Sequence, residues 1–170
     1  KGTLPDWFFY PVFCPNGKAN EDGSLMFANC GTRKIESALL KSGFTKKEII
    51  LAHPQYINDI ITKETKILAI SANDPLGIGP ATSTFTKIFG SEGRMKLKLI
   101  ELLNSKSVKN YRPKICLGGP GAWQLKANPL MMKKMGIDCV IVGEGEISAP
   151  ELFKKAINNE EIQEIVDGIP

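Results

Sequence analysis

The sequence predicts an α/β protein: a doubly wound, five-stranded parallel sheet of flavodoxin-like, Rossmann-like type, in strand order 2-1-3-4-5, with an N-terminal arm. Three observations predict it. From Ser24 onward, short apolar runs alternate with amphipathic helical segments. The runs are continuous instead of alternating apolar with polar, as expected of parallel strands covered by helices on both faces. The chain has 170 residues, 42% hydrophobic and 24% charged, enough for one domain with a sizeable core. Right-handed crossovers between βα units then give the doubly wound order.

The elements follow in chain order. Residues 1–23 read as an arm or hairpin, with aromatics in Trp7-Phe8-Phe9-Tyr10 and turn residues from Asn16-Gly17 to Asp22-Gly23. Leu25-Met26-Phe27-Ala28 is the first expected strand, and Ile35, Ala38 and Leu39 mark the helix after it, ended at Gly43. Ile49–Ala52 is the second strand, followed by a short helix carrying Ile57, Ile60 and Ile61. Ile67–Ile70 is the third, followed by a long loop from Ser71 to about Gly93 and a helix bearing Met95, Leu99, Leu102 and Leu103. Ile115-Cys116-Leu117 is the fourth; Asn128-Pro129 opens the next helix and Gly136 closes it. Cys139–Val142 is the fifth, and Ser148-Ala149-Pro150-Glu151 reads as a capping box for a last helix. The α/β domain is expected over residues 24–165. Residues 166–170 are expected to begin a link to a further, C-terminal domain, because a new apolar segment starts at Ile165-Val166.

Composition excludes several classes. The net charge of +4 comes from 22 basic and 18 acidic residues that are intermixed, which is not the footprint of a nucleic-acid binder. No apolar run approaches the roughly 20 residues of a membrane span. The cysteines at 14, 30, 116 and 139 form no C-x-x-C pair. Cys116 and Cys139 lie in apolar strands and read as buried free thiols in a reducing, cytoplasmic setting; a Cys14–Cys30 bridge is left open.

In a doubly wound sheet, ligands bind beyond the carboxyl ends of the strands. The loops there are rich in glycine: Gly31-Thr32 after strand 1, Ser71-Ala72-Asn73-Asp74-Pro75-Leu76-Gly77 after strand 3, Gly118-Gly119-Pro120-Gly121 after strand 4, and Gly143-Glu144-Gly145-Glu146 after strand 5. Glycine permits close backbone approach to a ligand and leaves N–H groups to point at it. The common nucleotide signatures are absent. There is no G-x-x-x-x-G-K-S/T, and the first βα turn lacks G-x-G-x-x-G. With His53 as the single histidine, no His-based nucleophilic triad is indicated and no catalytic residue or metal ligand is assigned.

Gly118-Gly119-Pro120-Gly121-Ala122-Trp123, then Gly136-Ile137-Asp138, an apolar strand, and Gly143-Glu144-Gly145-Glu146, resemble the N-terminal cobalamin (B12)-binding domain of cobalamin-dependent radical S-adenosylmethionine proteins. Leu68–Ala72 resembles that family's third strand, Asn73–Pro80 an archaeal-type subgroup, and Cys30–Arg33 its first βα turn. The resemblance spans roughly residues 24–165.

It implies that a corrin lies against the loops named above, held by backbone hydrogen bonds to its amides, with Leu76 or Trp123 as apolar contacts. The loop after strand 1 lacks the D-x-H-x-x-G motif, so the resemblance implies base-off, His-off cobalamin. It also implies a radical S-adenosylmethionine domain in the same parent chain, holding S-adenosylmethionine and a 4Fe-4S cluster. The C-x-x-x-C-x-x-C run such a cluster needs is missing here. The function expected is presentation of methylcobalamin for methyl transfer to an unactivated carbon, as part of a methyltransferase. Two alternatives stand beside it: a degenerate interaction or scaffold domain, and a nucleotide or sugar-phosphate binder using the glycine loops as anion nests.

Overall fold

The computed structural model describes Val12 and residues 17–169. The other residues of the aromatic arm, and Cys14, lie outside the described residues. Among the described residues the sheet has four strands, β1 (Ile67–Ser71), β2 (Lys114–Gly118), β3 (Cys139–Val142) and β4 (Ile165–Asp167), in the order β1-β2-β3-β4. All three pairings are parallel: Ile67 stands beside Lys114, Cys116 beside Cys139, and Val140 beside Ile165.

The α/β class and the parallel sheet agree with the sequence; the strand count and order do not. The first two expected strands stay out of the sheet. Leu25–Ala28 is held between the Asp22-Gly23 turn and Asn29, which caps the next helix, so no length remains for a ladder. Its contacts are isolated antiparallel bridges, Ala19 with Leu25 and Ser24 with Ala52. Ile49–Ala52 runs straight into His53-Pro54, where a 3₁₀ turn (Pro54–Tyr56) begins. The two segments bond to each other, Leu25 N–H to the Leu51 carbonyl at 2.7 Å and His53 N–H to the Gly23 carbonyl at 3.0 Å.

At the other end, residues expected to start a link form β4. The Val140 N–H donates to the Glu164 carbonyl at 2.8 Å and the Gly168 N–H to the Val142 carbonyl at 2.7 Å. Lys133 pairs with Glu164 at 2.9 Å, and Lys126 pairs with Asp167.

Helices cover both faces. On one lie α1 (Cys30–Lys41) and α8 (Ser148–Ile157), packing Leu39, Leu152 and Phe153 onto Cys116, Cys139 and Ile141. On the other lie α2 (Ile57–Ile60), α4 (Arg94–Leu103), α5 (Lys106–Tyr111), α6 (Trp123–Lys126) and α7 (Pro129–Lys134), packing Ile57, Leu99, Leu103, Val108, Leu125 and Met132 onto Ile115, Leu117 and Val140. Successive strand residues point to opposite faces, so a strand with helices on both sides must be apolar at every position. Leu117, Cys139 and Val140 are fully buried as a result.

Two local expectations change. The expected long loop contains α3 (Pro80–Phe89), which starts with Pro at its first position and ends at left-handed Gly90, φ 62°. None of its described side chains is fully buried. Ser148 does not cap α8: Ile147 takes the cap position without a side-chain bond, and Ser148 falls in the first turn.

Candidate functional site

The carboxyl ends of β1, β2, β3 and β4 lead into the segments starting at Ala72, Gly119, Gly143 and Gly168. The N-terminal part of α1 joins this edge: Ile35 packs beside Gly145, and the Lys34 ammonium lies 3.1 Å from Glu146 and 3.6 Å from Glu144. All four sequence-assigned loops therefore meet at one edge of the sheet, although the first follows no strand.

The loop after β1 is built around Asp74. Its Oδ1 accepts the Gly79 N–H at 3.0 Å, closing the loop onto the N-terminus of α3. It also accepts from Gln124 Nε2 at 2.7 Å. Gln124, 1% exposed, uses its Oε1 to accept the Leu76 N–H at 2.9 Å. One side chain from α6 thus clamps the β1 loop at two points. Burial pushes the Asp74 carboxyl up. The Thr82 hydroxyl, Gln124 and the Gly79 and Ile78 amides outweigh it and hold the group below its ordinary value. Oδ2 is buried without a well-formed hydrogen bond; the Thr82 hydroxyl stabilises the charge from outside bonding geometry.

The glycine turn after β2 packs against the same loop. The Ala72 N–H donates to the Gly118 carbonyl and the Gly121 N–H to the Ala72 carbonyl, both at 2.9 Å. A Cβ on Gly119, which has φ 92°, would stand 2.8 Å from Ser71 Oγ. One on Gly121 would overlap the Asn73 backbone and the Pro75 ring. These two glycines are required by loop-to-loop contact. The same holds after β4, where a Cβ on Gly168 would overlap the backbone of Glu144 in the loop after β3. Asn73 and Pro120 remain exposed, as does Ser71.

The acids of the Gly143–Glu146 loop face Lys34. A hydrogen bond from Lys34 holds the Glu146 carboxyl below its ordinary value, and the same bond raises the ammonium. At the start of α1, Asn29 Oδ1 accepts both the Thr32 N–H and the Thr32 hydroxyl at 2.8 Å, so Thr32 completes a helix cap. Gly31 is exposed beside it.

Each of the four strand-end segments also presents one large apolar side chain: Ile78 at 45% exposure, Trp123 at 48%, Ile147 at 51% and Ile169 at 56%. Leu76 is half-buried and packs against the core. Sequence reading missed Ile78, Ile147 and Ile169, because an isolated apolar residue in a loop has no periodicity. It also missed Gln124, whose signal is a lone polar residue between Ala122 and Leu125, both buried.

His53 lies elsewhere. It is 5% exposed, its Nδ1 accepts the Gln55 N–H at 3.2 Å, and its ring meets the Tyr56 ring edge-on. Cys30 is an exposed free thiol. Among the described residues, no group of three or more His, Cys, Asp or Glu side chains could hold a metal ion. No helix among them is long and apolar enough to cross a membrane.

No family model matches the chain, and no curated protein matches it. A solved structure that matches is the N-terminal domain of the hypothetical protein TM0182 of Thermotoga maritima. It is 20% identical, with a TM-score of 0.45, over 84% of this chain and 94% of that one.

Proposed function

We propose that the carboxyl edge of the sheet binds cobalamin, and that the chain serves as the cobalamin-binding domain of a radical S-adenosylmethionine methyltransferase. The observation that carries the reading is the exposure of one large apolar side chain on each segment that follows a strand. Each of the four strand-end segments carries one such half-exposed side chain, and Ser71 and Asn73 are exposed polar residues at the end of β1 and just after it. A large flat ligand with an apolar ring and amide arms has use for both kinds of contact.

The residues present fit such a group in one respect and revise its expected binding in another. His53 is buried and its Nδ1 accepts the Gln55 N–H, so that nitrogen is not free to bind cobalt. The N–H groups of Thr32, Ala72, Leu76, Gly77, Gly79 and Gly121 are bonded within the protein. The corrin amides would therefore meet Ser71, Asn73 and the exposed side chains rather than those backbone donors. When bound, methylcobalamin supplies a transferable methyl group. The chain's own part is to hold and orient the ring and to shield one face of it from water. S-adenosylmethionine and the 4Fe-4S cluster would belong to a partner domain in the same parent chain.

One observation favours a second reading, an interaction domain without cobalamin: the space in front of Gly119 and Gly121 is filled by the β1 loop. Titration with hydroxocobalamin separates the two. Binding weakened at least tenfold by Trp123→Glu and by Ile147→Glu, with unchanged melting temperatures, supports the cobalamin reading. Failure of the parent chain to bind supports the interaction reading.

A further inference from the structure

Cys116 and Cys139 are direct partners in the parallel register of β2 and β3, at the centre of the sheet. Both are free thiols, 2% and 0% exposed, and both point to the face covered by α1 and α8, among Leu39, Ile141, Leu152 and Phe153. Adjacent strands lie about 4.7–4.9 Å apart, inside the Cα separation of about 4.4–6.8 Å that disulfides use. The geometry points to a dithiol modification site, in which these two residues close a disulfide across the sheet on oxidation by a small peroxide.

Several observations support this. Each thiol perturbs the other's ionisation, Cys116 upward and Cys139 downward, and Cys139 is taken as the attacking member. Between α1 and α8 runs an open cleft of about 570 Å³, lined in part by Ser37, Ala38, Pro150 and Lys154. Neither cysteine lines the cleft, so a small oxidant reaches the buried sulfurs only when the packing of α1 against α8 opens. The pair also sits close behind the candidate edge, two residues before Gly118 in β2 and four before Gly143 in β3.

The chemistry balances. The Cys139 thiolate attacks one oxygen of hydrogen peroxide, giving a sulfenic acid and hydroxide. The Cys116 sulfur then attacks the Cys139 sulfur, forming the S–S bond and releasing water, while the hydroxide takes up the proton lost from Cys139. Two thiols and one peroxide give one disulfide and two waters. Both thiols are oxidised, and the peroxide is reduced.

The test uses the full chain carrying Cys14→Ser and Cys30→Ser, which leaves only the buried pair. The folded protein is treated with hydrogen peroxide, then denatured with an alkylating reagent and weighed intact. The expected result is a monomer lighter by two hydrogens that takes up no reagent, restored to two alkylatable thiols by dithiothreitol. With Cys116→Ser added, Cys139 should stop at the sulfenic acid and be trapped by dimedone. Two alkylatable thiols after an exposure that fully oxidises Cys30 in the parent chain would overturn the proposal. If the substituted chain does not fold, mapping the 116–139 linkage in the oxidised parent gives the same two outcomes. Neither outcome depends on whether cobalamin binds.

Discussion

Gln124→Leu is the perturbation that bears most on how the candidate edge is held. The change nearly keeps the volume but removes both of the side chain's bonds to the β1 loop, the 2.7 Å donation to Asp74 and the 2.9 Å acceptance from Leu76. A hydrogen bond to a charged group contributes about 1.5–3 kcal/mol, and an amide left without a partner costs about 1–3 kcal/mol. Leucine regains about 1 kcal/mol through easier burial, so the net loss is about 3 kcal/mol. At about 2–4 °C per kcal/mol for a chain of this size, the melting temperature should fall by about 9 °C.

Gln124→Glu adds a check on sign. A glutamate there stands against the Asp74 carboxylate in a buried site, so its folded-state pKa rises above the unfolded value. The folded protein then binds the extra proton more tightly, and the damage is greatest at neutral pH and relieved on acidification toward about pH 4. Asp74 itself is depressed and behaves the other way. Its contribution is present above its unfolded pKa of about 3.9 and is lost as the pH falls through the folded value. Thermal denaturation followed by circular dichroism across pH reads both effects. A Gln124→Leu protein melting within about 2 °C of the parent would refute the clamp.

Other outcomes follow from the same contacts. Gly121→Ala drives a methyl group into the Asn73 backbone and should cost at least about 1–3 kcal/mol in chemical denaturation, whereas Gly31→Ala, with only Asn29 Oδ1 nearby at 3.6 Å, should change stability by under about 1 kcal/mol. Asp138→Ala removes the carboxylate that accepts the Ile115 N–H at 2.8 Å, and should lower stability by about 2 kcal/mol while loosening exchange protection at the start of β2. Lys34→Met removes the hydrogen bond that depresses Glu146, so the Glu146 carboxyl should titrate nearer its ordinary value by NMR.

What the sequence made legible was set by periodicity and punctuation. Continuous runs such as Cys139–Val142 identified buried parallel strands, because helices on both faces leave no polar position. Asn128-Pro129 and Gly136 marked the limits of α7, and the left-handed φ of 71° at Gly136 is the reason glycine stands there. Leu25–Ala28 had the composition of a strand, but a strand needs a neighbour, and pairing is decided by the turn and helix cap that bracket it. Ile165–Asp167 is three residues long and carries no periodic signal; its place comes from long-range bonds to β3.

The candidate loops were found by their glycines, while the purpose of those glycines was hidden. Gly119 and Gly121 look the same in sequence whether a ligand or a neighbouring loop approaches them. Asp138 read as part of a family motif, and its carboxylate ties β2 to β3 through the Ile115 N–H. The exposure of Ile78, Trp123, Ile147 and Ile169 could not be seen until each was placed in a segment that follows a strand.

The central claim, that this edge binds a corrin, is tested most directly by mixing the purified chain with hydroxocobalamin under reducing, anaerobic conditions, removing free ligand by gel filtration, and recording the visible spectrum of the protein peak. The account predicts one equivalent of corrin with a base-off spectrum, diminished by Trp123→Glu. A protein peak free of corrin, from a chain shown to be folded, would contradict it.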